Sequence, residues 1–263
     1  MIELRDLQFR YAHAPVLDGV DFAARPGEAV GLFGANGAGK STILRLCMAL
    51  LHPAAGSVTV AGHRTDGLGP EDLAGDVGFL FQRPEDQLIR TTVRDEIGYG
   101  PARLGWSAAR TAAAVEGSLR ECGLLDQAES HPYDLSLPRR RLVALASVLV
   151  TAPKALLLDE PTALLDREGR ALVAAIIRSR VAMGVTVLAV VHDPVFAIEA
   201  LDRGVMLAGG RIVADAPVGD LLRSGKAGLG LPPAVVAAEG AGVTSASLRL
   251  ADLAAALARR VSG

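Results

Sequence analysis

Nine consecutive residues, Gly34-Ala35-Asn36-Gly37-Ala38-Gly39-Lys40-Ser41-Thr42, set three glycines beside a lysine and two hydroxyls. Those residue types at that spacing suit the binding of a polyphosphate. Glycines let backbone N–H groups turn inward around phosphate oxygens, and a helix opening at the end of the run adds partial positive charge. Lys40 has the reach for β- and γ-phosphates, and the Ser41 hydroxyl is a ligand suited to Mg²⁺. The run lies between a strand-like segment and a helical pattern, which is the setting of a P-loop. Only three lysines occur, Lys40, Lys154 and Lys226, so a lysine inside the motif carries extra weight.

A second reactive stretch is Leu156-Leu157-Leu158-Asp159-Glu160-Pro161-Thr162, an apolar strand that ends in adjacent carboxylates. Successive strand side chains point to opposite sides, so only one carboxylate faces a metal as the strand does. Asp159 suits Mg²⁺ through its water shell. Glu160, just past the strand end, is placed to polarise an attacking water. A further apolar run, 186–191, ends at His192, whose imidazole suits a hydrogen bond to a γ-phosphate. Catalysis of this type is mostly positioning and charge stabilisation.

The elements that must hold these groups are legible as alternating segments. Strand patterns cover 2–9, 19–23, 29–33 and 57–61, and a helical pattern after Gly39 ends at His52-Pro53. From Glu85 to about Val150 the chain is Ala-rich and helical. Strands at 155–158 and 185–191 then flank an amphipathic helix at 168–183, which predicts a parallel α/β sheet with buried central strands. The last fifty or so residues end in a helix at 248–261 and read as an appended unit. Half of the 263 residues are apolar, enough for a sizeable core, and the formal charge of −2 gives no footprint for nucleic acid. The two cysteines, Cys47 and Cys122, read as buried free thiols. The N-terminus is charged and strand-like, with no signal peptide, and no apolar run is long enough to span a bilayer, so a soluble chain is expected.

In this order the elements resemble an ATP-binding-cassette (ABC) ATPase subunit over nearly the whole chain. The resemblance implies an α/β P-loop NTPase fold: a parallel-sheet core, an antiparallel β subdomain, an inserted helical subdomain near 85–150 and a small C-terminal extension. The cassette would occupy 1–215 and the extension 216–263, the latter a likeness to dimer-pairing tails. ATP and Mg²⁺ are the implied cofactors. Residues Gly34 to Thr42 bind ATP, Glu160 and His192 are catalytic, and Ser41 and Asp159 hold Mg²⁺, partly through water. Tyr11, in FRYAHAPVLDGVDF, stands where the family stacks an aromatic ring on adenine. Gln82, in VGFLFQRPEDQL, corresponds to the Q-loop glutamine, which contacts Mg²⁺ and links the site to the helical subdomain. Leu164-Leu165-Asp166 resembles the loop that crosses the dimer interface, with Leu164 in place of the usual glycine.

Two stretches narrow the resemblance. PEDQLIRTTVRDEIGYGPARLGW is similar to the segment after the Q-loop in energy-coupling-factor (ECF) transporters, which import vitamins or metal ions such as cobalt and nickel. GLGLPPAVV and SLRLADLAAALARR resemble their C-terminal extension. The implied function is ATP hydrolysis that drives solute uptake, at the cytoplasmic face of a membrane. The implied partners are a second ABC ATPase, an integral membrane coupling protein and a solute-binding membrane subunit. Rival readings are an ATPase of another ABC transporter, an ATP-dependent clamp with little turnover, and a soluble ABC protein acting on ribosomes or DNA. The single cassette and near-neutral charge weigh against the last.

The departure from the family lies at LSLPR, residues 135–139, where LSGGQ is usual and is presented to ATP on the opposite subunit. Leu135 and Ser136 are kept, whereas Leu137, Pro138 and Arg139 replace Gly, Gly and Gln. Proline removes an N–H donor, and the Leu137 side chain hinders close backbone approach. A compensating reading has Ser136 as N-cap, Pro138 in a tolerant first turn and Arg139 as a cation near the phosphates. The impaired reading is preferred, and with it a heterodimer holding one good and one poor composite site.

Overall fold

The apolar runs that end in Asp159 and His192 form the middle of a buried sheet. The computed structural model describes residues 1–12, 14–83, 87–243 and 248–261. Glu85, the expected start of the helical subdomain, lies outside the described residues, as do Pro84 and Asp86 of the stretch likened to ECF transporters. The chain opens with β1 (Ile2–Tyr11), β2 (Ala14–Ala24), β3 (Ala29–Phe33) and α1 (Lys40–Cys47). It continues through β4 (Ala55–Val60), β5 (His63–Arg64), α2 (Pro70–Leu73) and β6 (Val77–Leu80). The helices α3 (Val93–Arg103), α4 (Ala108–Glu121) and α5 (Leu137–Leu149) follow, then β7 (Ala155–Asp159), α6 (Arg167–Ala182), β8 (Thr186–Val190) and α7 (Pro194–Ala200). The chain closes with β9 (Arg203–Ala208), β10 (Arg211–Pro217), α8 (Val218–Arg223), α9 (Pro233–Gly240) and α10 (Leu250–Val261).

One sheet has the order β10-β9-β3-β8-β7-β6, parallel except for β10 at its edge. A second, antiparallel sheet has the order β2-β1-β4-β5. This is the α/β architecture expected from the sequence. Several bounds differ. Strand β2 starts at Ala14 rather than at 19, because it lies at a sheet edge where Pro15 forfeits no interior ladder bond. Helix α1 stops at Cys47, short of residue 51, and Ala49 turns left-handed at φ 56°. The final helix starts at Leu250, not 248.

Strand alternation divides the core between the two faces of the large sheet. Leu156 and Leu158 face the helices α3 to α8, joined there by Val235 and Leu253 of α9 and α10, while Leu157 faces α1 and the antiparallel sheet. All three leucines are at most 1% exposed, and burial of each side chain stabilises the fold by about 1.5–3 kcal/mol. The C-terminal helices are also tied by polar contacts: Arg223 Nε donates to Glu239 Oε1 at 3.1 Å, and the Leu250 N–H donates to Glu199 Oε1 at 2.7 Å.

Cys47 and Cys122 are free and buried, as expected. Burial pushes both thiols up to about 12, and for Cys122 the nearby Glu121 charge adds to the rise. Neither is a thiolate at neutral pH. A thiol-specific reagent at pH 8 is therefore expected to leave the native protein unlabelled and to modify both cysteines after denaturation; labelling of native protein would contradict this packing.

Candidate nucleotide site

Parallel pairing brings one end of every central strand to the same edge. Leu32 pairs with Val190, Val190 with Asp159, and Leu80 with Leu158. The residues that follow those positions, Gly34 to Thr42, His192, Glu160 and Gln82, consequently leave the sheet together. Reactive groups gathered at the C-terminal edge of a parallel sheet are a recurring use of this architecture.

The glycine run forms a loop that ends in α1, with Gly39 at the N-cap and φ 104°. Gly34 has φ 142°, and a Cβ there would lie 2.3 Å from the Leu207 carbonyl oxygen, so a larger residue is barred both by conformation and by space. Lys40 is 6% exposed, and its Nζ donates to the carbonyls of Gly34 at 2.7 Å and Ala35 at 2.9 Å. An ammonium has three donors, so one remains for an anion. Burial pulls the Lys40 pKa below the ordinary lysine value, opposed by the charges of Glu160 and Asp159.

Asp159 is the last residue of β7 and only 3% exposed. Burial pushes its carboxyl above the usual range. A Ser41 hydrogen bond pulls down, Glu160 pushes up, and Arg45 and Arg141 pull down. Its Oδ1 is buried with no hydrogen-bond partner. An orphaned carboxylate oxygen next to a serine hydroxyl fits Mg²⁺, a hard cation that prefers oxygen and takes few protein ligands beside substrate phosphates. Among the described residues no group of three or more His, Cys, Asp or Glu could hold a metal ion by itself.

Glu160 leaves the strand through a left-handed turn, φ 52°. Its Oε1 accepts from Gln82 Nε2 at 3.1 Å and lies 3.3 Å from His192 Nε2. Three residues chosen from separate segments thus meet at one carboxylate oxygen. Tyr11 stands at the end of β1 where the chain turns into β2, paired with Ala14 and 42% exposed, with its ring edge-on to Phe9 at 4.8 Å. The β2 residues Val16 and Leu17 lie against Gly39, which puts that hairpin beside the phosphate loop.

The LSLPR segment begins α5. Ser136 occupies the N-cap position without a side-chain cap bond, and Pro138 sits in the first turn. Arg139 is turned away from the helix start, with Nη1 donating to the Gly123 carbonyl at 2.9 Å. Of the compensating reading, Ser136 is at the N-cap position but makes no side-chain cap bond, Pro138 is in the first turn as expected, and the Arg139 guanidinium is engaged by the Gly123 carbonyl after α4. Asp166 caps α6, its Oδ1 accepting from Gly169 N–H at 2.8 Å, and Leu164 before it is 62% exposed at φ 67°. Sequence reasoning missed Arg45 and Arg141, which act on Asp159. For Arg141 the available signal was a charged residue at the buried face of an otherwise apolar helix; Arg45 is exposed and offered no such signal.

The sequence profile described as ABC transporter matches residues 17–163. The chain belongs to that family. A Streptomyces coelicolor protein named as an ABC transporter ATP-binding protein is 40% identical, with 84% of each chain covered. The nickel import ATP-binding protein NikO of Rhodobacter capsulatus is 38% identical, over 84% of this chain and 90% of its own. Among solved structures, cbiO1 of Clostridium perfringens, described as part of the ABC transporter complex cbiONQ, superposes with a TM-score of 0.75 at 25% identity, covering 84% of this chain and 89% of that one. As an ABC transporter ATPase, the chain binds and hydrolyses ATP.

Lys40→Ala is expected to weaken ATP binding at least tenfold, about 1.4 kcal/mol, in an equilibrium titration with a fluorescent ATP analogue. Gly34→Ala is expected to lower both affinity and the thermal midpoint, because its Cβ meets backbone. Unchanged affinity in Lys40→Ala would remove this lysine from the phosphate site.

Proposed function

We propose that this ATPase energises an ECF-type importer that takes up a transition metal ion, nickel or cobalt, or a vitamin. The observation that carries the reading is the 38% identity to a nickel import ATPase across 84% of this chain. The segment after Gln82 and the C-terminal tail support it. Among the described residues no helix is long and apolar enough to cross a membrane. In this reading an integral coupling protein docks beside the Gln82 loop, a small membrane subunit captures the solute, and the ATPase works peripherally at the cytoplasmic face.

Within the site, Lys40 and the loop N–H groups hold the β- and γ-phosphates, and Tyr11 stacks on adenine. Ser41 and Asp159 hold Mg²⁺, with Gln82 reaching the same region; the ion would neutralise charge on the phosphates. Glu160 polarises the attacking water while Gln82 and His192 hold its carboxylate in place and sense the γ-phosphate. A second cassette closes over the nucleotide, with the Asp166 loop crossing between the two and the C-terminal extension, 216–263, adding to the contact.

The altered signature supports unequal sites. Pro138 offers no N–H, Leu137 projects a side chain that is 43% exposed, and Arg139 is anchored to Gly123. The site completed by Ser136, Leu137, Pro138 and Arg139 then binds ATP and turns over slowly, whereas this chain's Lys40–Glu160 half works against an intact signature from a different ATPase. The clamp reading shares the altered signature but leaves Glu160 without a use.

Turnover of the full-length chain alone and after co-expression with its neighbouring ATPase and membrane subunits tests both levels. Low turnover alone is expected, with recovery in the assembly and a fall of about 10²–10⁴-fold on Glu160→Gln. Brisk hydrolysis by the lone homodimer would overturn the impaired signature. Proteoliposomes of the assembly should take up radiolabelled Ni²⁺, Co²⁺ or a vitamin with ATP; co-purification with subunits that export or import some other class of solute would overturn the ECF assignment.

A further inference from the structure

Helix α5 carries more than the signature. Arg141, in its second turn, is 1% exposed, and a guanidinium so deeply placed needs acceptors for its donors. It has four backbone carbonyls, in two pairs. Nη1 donates to Phe81 at 2.9 Å and Gln82 at 2.5 Å, while Nη2 donates to Asp159 at 3.3 Å and to Glu160. The pairs belong to neighbouring strand ends, since β6 and β7 run side by side. A planar fork offers a separate nitrogen to each strand end, whereas an ammonium must bring its donors from a single nitrogen. The same helix also holds Gln87, whose Nε2 donates to the Ala144 carbonyl and Ser147 Oγ, each at 3.2 Å.

What Arg141 holds is a backbone under strain. Glu160 has a side chain and yet sits at φ 52°, a conformation that persists only where the surroundings enforce it. That turn aims its carboxylate at Gln82 Nε2 and His192 Nε2, 3.1 Å and 3.3 Å away.

We propose that Arg141 is a positioning residue for ATP hydrolysis: by bridging the carbonyls of Phe81 and Gln82 to those of Asp159 and Glu160, it fixes the Glu160 carboxylate against Gln82 and His192 and passes the position of α5 to it. Arg141 acts through Glu160, so the inference rests on the reading of Glu160 as the group that polarises water. Because Ser136 is the N-cap of α5, the bridge also links the segment presented to the other subunit with this chain's own catalytic carboxylate.

Arg141→Lys and Arg141→Gln, each in the full-length chain assembled with its partner subunits, test the bridge. Lysine keeps the charge but reaches one loop; glutamine keeps a single donor group. In both, kcat is expected to fall at least about tenfold while KM and equilibrium ATP affinity move less than about threefold, the pattern of a group that matters to the transition state alone. Wild-type kcat in Arg141→Lys would overturn the proposal. So would loss of turnover that comes with lost ATP affinity or lost cooperative unfolding, since that marks a merely structural cation. Glu160→Gln, assayed beside them, reads the underlying assignment separately: retained turnover there removes Glu160 as the catalytic carboxylate, whereas loss there with full activity in Arg141→Lys overturns the bridge alone.

Discussion

An ionised carboxylate that is almost wholly buried is costly, by several kcal/mol after relaxation, unless hydrogen bonds and opposite charges surround it. Asp159 is that carboxylate, and much of the site is arranged around it. Burial raises its pKa, while Ser41, Arg45 and Arg141 favour the charged form. Lys40 presents the mirror problem, a buried ammonium whose pKa burial depresses and whose charge Glu160 and Asp159 sustain. The two opposite charges are kept near each other by elements that are far apart in sequence, α1 and β7. Asp159 Oδ1 is buried without a hydrogen-bond partner, so part of the desolvation cost is left uncompensated within the chain.

The sheet makes that arrangement possible. Parallel neighbours end level with one another, so the loop after each strand enters a common volume without any long excursion. Two cores, one on each face, hold the strands from both sides. The faces carry different duties. The side with α1 and the antiparallel sheet sets the glycine-rich loop and the Tyr11 hairpin, whereas the side with α3 to α5 carries residues 135–139 and, through Arg141, holds the backbone at Gln82. Arg203 ties the layers at the far end, donating to Glu28 at 2.7 Å, to Asp215, and to the Ala23 carbonyl.

The departure at 137–139 takes its meaning from where the three arginines point. Arg139 donates to Gly123, Arg140 to Leu135 and Tyr133, and Arg141 to the two strand ends. Each donates hydrogen bonds to carbonyls of its own chain. The three arginines fasten the start of α5 to its surroundings, and Pro138 rigidifies the same turn while withholding an N–H. The outcome is a helix start that is well anchored and poor in donors.

Much of the site could be read from the sequence because its parts are local. A glycine-rich turn ahead of a helix, and an apolar strand ending in acid, impose their own backbone geometry through steric freedom, alternation and helix-end charge, so Gly34 to Thr42, Asp159, Glu160 and the central strands were legible residue by residue. Strands β6, β9 and β10 were not: β6 spans only four residues with a glycine inside, and β9 and β10 lie at or next to the sheet edge, where partial exposure blurs the apolar pattern. Side-chain direction was beyond reach for a different reason. Whether Arg139 faces a phosphate or a carbonyl, and whether Gln82, Glu160 and His192 converge on one oxygen, depends on packing between segments up to 110 residues apart, the span from Gln82 to His192. Sequence determined the chemical groups and the local turns that display them; only the tertiary structure decided which of those groups meet, because strand register and helix docking are settled by the burial of whole faces rather than by any one motif.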